Sequence, residues 1–258
     1  MVAGKTALVT GGSAGIGRQI VLELARGGAR VLATARRPEP LQELAAAGAG
    51  QIDVLVADLT LPAGQQRTVD EVRERFGGID ILVNNIGGGV AKPLLSLTPE
   101  DWAAGFARNL TPAVTLTTAL APAMVERGWG RVVNIASSVA REPDPIFAPY
   151  SAAKAALVNF TQAAARALAP HGVAVNCVLP GVIGTESSQR HAEASAQARN
   201  ITTEEVMRRM LAKHPIPAGR IGGVEDVAAT VMFLVGPGGD WIHGACVPVD
   251  GGAHQYAF

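Results

Sequence analysis

Seven short runs of aliphatic and β-branched residues recur along the chain, at Thr6 to Thr10, Val31 to Thr34, Asp53 to Ala57, Ile79 to Asn84, Arg131 to Ala136, Val173 to Leu179 and Ala245 to Val249. Stretches of helical pattern separate them. Strands that alternate with helices can rejoin one sheet only by parallel crossovers, so this pattern predicts an α/β fold built on a doubly wound, seven-stranded parallel sheet with helices on both faces. Strands covered on both faces have no solvated side, which is why the runs are mostly apolar rather than alternating. No Ser- or Pro-rich linker, internal repeat or low-complexity tract divides the 258 residues, and a hydrophobic content of 48% is ample for one core. A single domain over residues 1–258 is expected.

The first run leads directly into Thr10-Gly-Gly-Ser-Ala-Gly-Ile-Gly17 and then into a helix that ends near Gly27. Glycines at 11, 15 and 17 permit a tight turn, close approach of the backbone to a pyrophosphate and close packing of helix on strand, while the helix N-terminus favours an anion. This is the Rossmann-type arrangement, with Gly11, Gly15 and Gly17 as the candidate phosphate loop. An NAD site places a carboxylate about twenty residues after that loop to accept from the ribose 2′-hydroxyl. Here the second run ends Ala35-Arg36-Arg37. Ala35 has no acceptor, and Arg36 with Arg37 offers forked cationic donors to a 2′-phosphate, so NADP(H) is expected in preference to NAD(H). Asp58 and Leu59, after the third run, are placed at the adenine end.

Tyr150 and Lys154 lie four residues apart at the start of an Ala- and Leu-rich helix expected from Ser151 to Ala169, so they share a face. A cation beside a phenol stabilises the phenolate and lowers its pKa from about 10. Ser137 follows the fifth run and would emerge at the carboxyl edge of the sheet, where ligands of such sheets bind. Upstream, the fourth run ends Asn84-Asn85-Ile86-Gly87, and Thr98 before Pro99, Glu100 and Asp101 marks a helix N-terminus. That helix contains Asn109 and Pro112; the proline cannot donate to the carbonyl of Arg108, and a kink is expected there.

Lys plus Arg and Asp plus Glu number 22 each, so no basic field favours nucleic acid or an anionic membrane. The chain runs straight from its first residues into a strand and has no apolar run of membrane-spanning length, which gives a cytoplasmic expectation with no membrane partner. The five histidines are scattered, and no metal site is expected. Cys177 and Cys246 lie in apolar runs and read as buried thiols.

Taken together, the glycine loop, Asn84-Asn85-Ile86-Gly87, Asn109, Ser137, Tyr150 with Lys154, Pro180-Gly181 and the closing Val249-Asp-Gly-Gly252 resemble the short-chain dehydrogenase/reductase family in order and spacing over nearly the whole chain. The resemblance implies a tetrad: Tyr150 as general acid/base, Lys154 lowering its pKa and binding the nicotinamide ribose, Ser137 hydrogen-bonding the substrate oxygen and Asn109 holding a relay water. It also implies a cofactor site that adds Ser13, Ala14 and Ile16 from the loop, Asn85 and Gly87, and Pro180, Gly181, Ile183 and Thr185 beyond the sixth run. Residues 182–218 are the expected substrate lid, with Val206, Met207, Met210 and Leu211 on one side of its second helix.

The 3-oxoacyl-carrier-protein reductases are similar in overall pattern. The basic residues by which such enzymes hold an acidic carrier are replaced here by Gly128 and His171, which argues against a carrier-bound substrate. Ile86 stands where the family usually has Ala. Pro143, Pro145, Ile146 and Phe147 suggest a ketone with a hydrophobic substituent. The expected activity is NADPH-dependent reduction of a β-ketoacyl or hydrophobic small-molecule carbonyl; the alternative is an NAD(P)-dependent alcohol or polyol dehydrogenase working oxidatively. The alanines around the helix after Tyr150 suggest a helix buried on several sides, and the resemblance implies that it is buried between subunits, hence a homotetramer or dimer.

Overall fold

The computed structural model describes residues 2–213 and 215–254; residue 214 of the expected lid, and residues 1 and 255–258 of the expected domain, lie outside the described residues. The strands are β1 (Thr6–Thr10), β2 (Arg30–Ala35), β3 (Ile52–Val56), β4 (Ile81–Asn84), β5 (Gly130–Ile135), β6 (Val173–Pro180) and β7 (Cys246–Val249). The helices are α1 (Gly15–Arg26), α2 (Pro38–Ala47), α3 (Pro62–Phe76), α4 (Pro99–Asn109), α5 (Thr111–Glu126), α6 (Ala148–Leu168), α7 (Glu186–Arg199), α8 (Thr203–Lys213) and α9 (Val224–Val235). All strand pairs are parallel, in the order β3-β2-β1-β4-β5-β6-β7. Each strand begins and ends within two residues of its expected limits.

Period-two alternation divides the strand side chains between two apolar layers. Ala7, Val9, Val31, Ala33, Ile81 and Val83 pack with Ile20, Val21 and Leu24 of α1 and with Val227, Val231 and Leu234 of α9. Their neighbours Leu8, Leu32, Leu82 and Val132 face the other way, against Val69 and Val72 of α3 and Leu116, Leu120 and Met124 of α5. Arg131 is 5% exposed within β5. Its charge is met by Asp240 and by the Trp129 ring, 4.5 Å from the guanidinium carbon, so it is paired rather than stranded.

The Pro112 region does more than kink. Leu110 leaves helical geometry (φ −123°, ψ −56°), and the expected single helix is two, α4 and α5. Thr98 caps α4 through a reciprocal box with Asp101, as its sequence predicts. At α8 only half of the analogous box forms: the Glu205 amide donates to Thr202 Oγ1 at 3.2 Å, while the Glu205 carboxylate turns to Arg208 and Arg209.

The sheet reverses winding between β1, which leads by α1 to β2, and β4, reached from β3 through α3. Loops at the carboxyl ends of these two strands diverge and leave a crevice between them.

Candidate active site

The crevice is a cleft of about 790 Å³ walled by the loops after β1, β2, β4, β5 and β6 and by the start of α7. That volume suits a dinucleotide-sized ligand with a small substrate. The glycine loop is shaped as a phosphate cradle. A Cβ on Gly17 would lie 2.3 Å from the Gly11 carbonyl oxygen, and Gly15 has φ +52° with its Cβ position 3.3 Å from Thr185 Cγ2. Side chains at either position would fill the space or break the turn. Ser13, Ala14 and Ile16 line the same wall. Asn85 ties this loop to β4: its side-chain amide donates to the carbonyls of Thr10 (3.0 Å) and Gly11 (3.2 Å).

At one end, Ala35, Arg36, Arg37 and Leu59 line the cleft, with both arginines exposed at its rim. Asp58 is not in this wall. It faces an adjoining depression with Arg36 and Arg67, and its carboxylate accepts from Thr60 N and Oγ1 at 3.0 and 2.7 Å. Those bonds outweigh partial burial and, with the field of Arg36, hold its pKa below the usual value.

At the other end stand Ser137, Tyr150 and Lys154. Ser137 Oγ accepts from Val139 N at 3.4 Å, and its side chain faces the half-buried Tyr150 across the cleft end. Lys154 is fully sunk and donates from Nζ to the Ile135 carbonyl at 2.7 Å, with Nζ 5.8 Å from the Tyr150 ring centroid. Burial pushes the Tyr150 phenol above 10, Ser137 pulling it part of the way back. The Lys154 ammonium gives one of its three N–H donors to the Ile135 carbonyl, and burial drives its own pKa down to about 8.

Asn109 is 2% exposed and does not line the cleft. Its Oδ1 accepts from Gly88 N at 2.9 Å, and its Nδ2 donates to the carbonyls of Gly88 and Gly105 at 3.1 and 2.9 Å. It clamps the loop after β4 to α4. Gly87 is held so closely between Asn109 Oδ1 and Lys154 Nζ that a Cβ would lie 2.8 Å from each. A small residue is thus required where the chain passes Lys154.

Pro180, Gly181 and Ile183 form the wall beyond β6, and Thr185 caps α7, accepting from Ser188 N at 3.0 Å. Several lining groups have no counterpart in the sequence reading. Thr34 is wholly buried with its hydroxyl unpartnered, and Glu186, Ser187, Ser188 and Arg190 bring the face of α7 onto the cleft. The one-turn spacing of Glu186 and Arg190 was the only signal for that face. Val206, Met207, Met210 and Leu211 of α8 are half-buried and do not line the cleft, and Pro143 and Pro145 line a separate depression with Ser151 and Ala155. Pro143 and Pro145 therefore offer no apolar wall to a substrate in the cleft. Among the described residues no helix is long and apolar enough to cross a membrane.

Comparison with known proteins agrees with this geometry. Residues 5–196 match the family described as short chain dehydrogenase. The chain is 38% identical over 254 residues to 2,3-dihydroxy-2,3-dihydro-p-cumate dehydrogenase of Pseudomonas putida, covering 97% of this chain and 94% of that one. It is 35% identical over 256 residues to the 3-oxoacyl-[acyl-carrier-protein] reductase FabG of Escherichia coli, covering 98% of each. Among solved structures, L-sorbose reductase from Gluconobacter frateurii, complexed with NADPH and L-sorbose, superposes with a TM-score of 0.94 at 30% identity, covering 99% of this chain and 98% of that one. A parallel sheet in this strand order, a glycine cradle at its switch point and a match to the family over most of its length make the chain a member of the short-chain dehydrogenase family, an NAD(P)-dependent oxidoreductase acting on CH–OH and C=O groups.

Proposed function

We propose that the protein is an NADPH-dependent reductase that converts a small-molecule ketone to an alcohol, with Asn109, Ser137, Tyr150 and Lys154 as its catalytic set. The observation that carries this reading is the convergence of Ser137, Tyr150 and Lys154 at one end of the cleft. Bound nicotinamide supplies the hydride. Tyr150 donates its proton to the carbonyl oxygen as that oxygen becomes an alkoxide, and Ser137 donates a second hydrogen bond to the same atom. Reduction takes the proton from the phenol and oxidation returns it to the phenolate, so the one group serves both directions. The charge of Lys154 lies on the floor of the cleft beneath the developing alkoxide, and Asn109 fixes the Gly87–Gly88 loop that packs against it.

The site would hold the cofactor by the glycine loop for the pyrophosphate, by Arg36 and Arg37 for a 2′-phosphate, and by Gly87, Lys154, Pro180, Gly181, Ile183 and Thr185 around the nicotinamide end. The oxidative alternative is favoured by one comparison, the dihydrodiol dehydrogenase of Pseudomonas putida at 38% identity. One domain with a lid over residues 182–218, assembled as a homodimer or tetramer through the small-residue face of α6, completes the proposal. Along that face Ala155, Ala163 and Ala167 are exposed in the single chain.

The test is NADPH consumption by purified protein against paired panels of β-ketoacyl thioesters and free aryl, alkyl and cyclic ketones. Turnover of free ketones supports the proposal. Silence towards every ketone, with NADP-dependent turnover of alcohols, would replace it by the oxidative reading.

The same site fixes a pH dependence. Lys154 has its pKa lowered to about 8, so its charge is present below that pH and lost above it. The expected result is that kcat/KM for ketone reduction falls as pH rises through about 8, since that parameter reports groups of the free enzyme. A profile that stays flat to about one unit above this pH would show that the Lys154 charge is not required.

A further inference from the structure

In the parallel pair β6/β7, Cys177 stands directly opposite Cys246. Opposed residues of neighbouring strands project to one face, and both side chains enter a small apolar cluster with Ala136, Leu157 and Leu179. Neighbouring strands run about 4.8 Å apart, which lies within the Cα separation of about 4.4–6.8 Å that a disulfide spans. Both cysteines are free, Cys177 buried and Cys246 half-exposed on the outer strand. The sequence expectation of two buried thiols thus holds for Cys177 alone, because β7 has a neighbouring strand on only one side.

The two thiols are not equivalent. The Cys177 S–H donates to the Val178 carbonyl at 3.7 Å; interaction with the Cys177 side chain and the positive field of Arg141 lower Cys246 to about 7, while that interaction and burial push Cys177 well up. A reachable sulfur with thiolate character, a cation beside it and a sheltered thiol opposite it form the arrangement of an attacking and a resolving cysteine.

We propose that Cys246 and Cys177 are a peroxide-oxidised dithiol site whose disulfide reversibly lowers the activity of the enzyme. In the first step the Cys246 thiolate attacks hydrogen peroxide; an S–O bond forms, the O–O bond breaks, and the departing hydroxide takes a proton to become water. The sulfur, oxidised by two electrons, is now a sulfenic acid. In the second, Cys177 gives up its proton and its sulfur attacks that of Cys246; the S–S bond forms, the S–O bond breaks, and hydroxide leaves with the released proton as a second water. Two thiols and one peroxide become one disulfide and two waters, and a dithiol reductant reverses the change.

The bond has a route to the site. Cys177 sits three residues before Pro180 on the strand that ends in the cleft wall, and it interacts electrostatically with buried Lys154. A disulfide draws Cβ atoms to about 3.8 Å, closer than strand spacing, so β7 must be pulled towards β6 behind that lysine. Strain of this kind also keeps a disulfide reducible.

The experiment treats the reduced full-length protein with hydrogen peroxide, blocks remaining thiols by alkylation, and follows peptide maps, intact mass and NADPH turnover, before and after dithiothreitol. Expected are a peptide joining Cys177 to Cys246, a mass loss of two hydrogens, and a several-fold fall in turnover that dithiothreitol restores. In Cys177→Ser, oxidation should stop at a Cys246 sulfenic acid trapped by dimedone, and Arg141→Gln should slow thiol loss several-fold. Wild-type protein that keeps both thiols free, or accumulates sulfinic acid on Cys246 with no joined peptide, overturns the site. A joined peptide with unchanged turnover overturns its control of the enzyme.

Discussion

Replacing Tyr150 by Phe lowers turnover by about 10²- to 10⁴-fold, the range expected for loss of a general acid. The substitution removes one oxygen and keeps the ring. That ring packs beside Gly89, whose Cβ position is 3.2 Å from Tyr150 Cγ, and this contact is the same for Phe. Loss of the hydroxyl's polar interaction on the Ser137 side costs folding at most about 0.5–1.5 kcal/mol. The unfolding midpoint and the affinity for NADPH therefore stay near wild type while the chemical step fails. Steady-state kinetics with NADPH binding followed by fluorescence checks this. Turnover within a few-fold of wild type, with cofactor binding intact, would remove Tyr150 from the mechanism.

Arg36→Ala combined with Arg37→Ala should lower kcat/KM with NADPH by about 10- to 100-fold and change the value with NADH little. Hydrogen bonds to charged groups contribute about 1.5–3 kcal/mol, and about 1.4 kcal/mol is a factor of ten. Both arginines are exposed at the cleft rim, so screening places the result towards the lower figure. Asp58 adds to the effect. Its carboxylate now lies in the field of Arg36, and without that arginine its charge would oppose an incoming 2′-phosphate. Parallel assays with the two cofactors decide it, and an equal fall with both would assign the arginines to general steering rather than to the 2′-phosphate.

The frame of the fold was legible because its strands are buried on both faces. β5 and β6 contain only buried residues, and such strands appear in sequence as predominantly apolar runs without period-two alternation. The glycine loop was legible for a steric reason: at Gly17 nothing larger fits against the Gly11 carbonyl. The break at Leu110 was half visible. Pro112 announces a lost backbone bond, but whether a helix bends or divides depends on what the freed segment packs against.

Side-chain commitments were the least legible. Nothing in the sequence tells that the Asn109 amide is spent on Gly88 and Gly105, or that the Lys154 ammonium donates to the Ile135 carbonyl. These bonds join segments far apart in the chain, and their geometry follows from how α4, α6 and β5 are stacked. The inner face of α7 was hidden for another reason. Its buried residues are only Ala192 and Ala196, so the helix has little apolar stripe to betray which side meets the cleft. The facing of Cys177 and Cys246 needs the strand order as well as the strands, since sixty-nine residues separate them in sequence.

The central claim is that hydride reaches a ketone carbon in this cleft while Tyr150 protonates its oxygen. The most direct measurement incubates the protein with a ketone and NADPH deuterated at both C4 positions, and weighs the alcohol produced. The account predicts one deuterium on the carbinol carbon with wild-type protein, and almost no alcohol over the same interval with Tyr150→Phe. Alcohol formed without deuterium, or labelled alcohol formed equally fast by Tyr150→Phe, would contradict it.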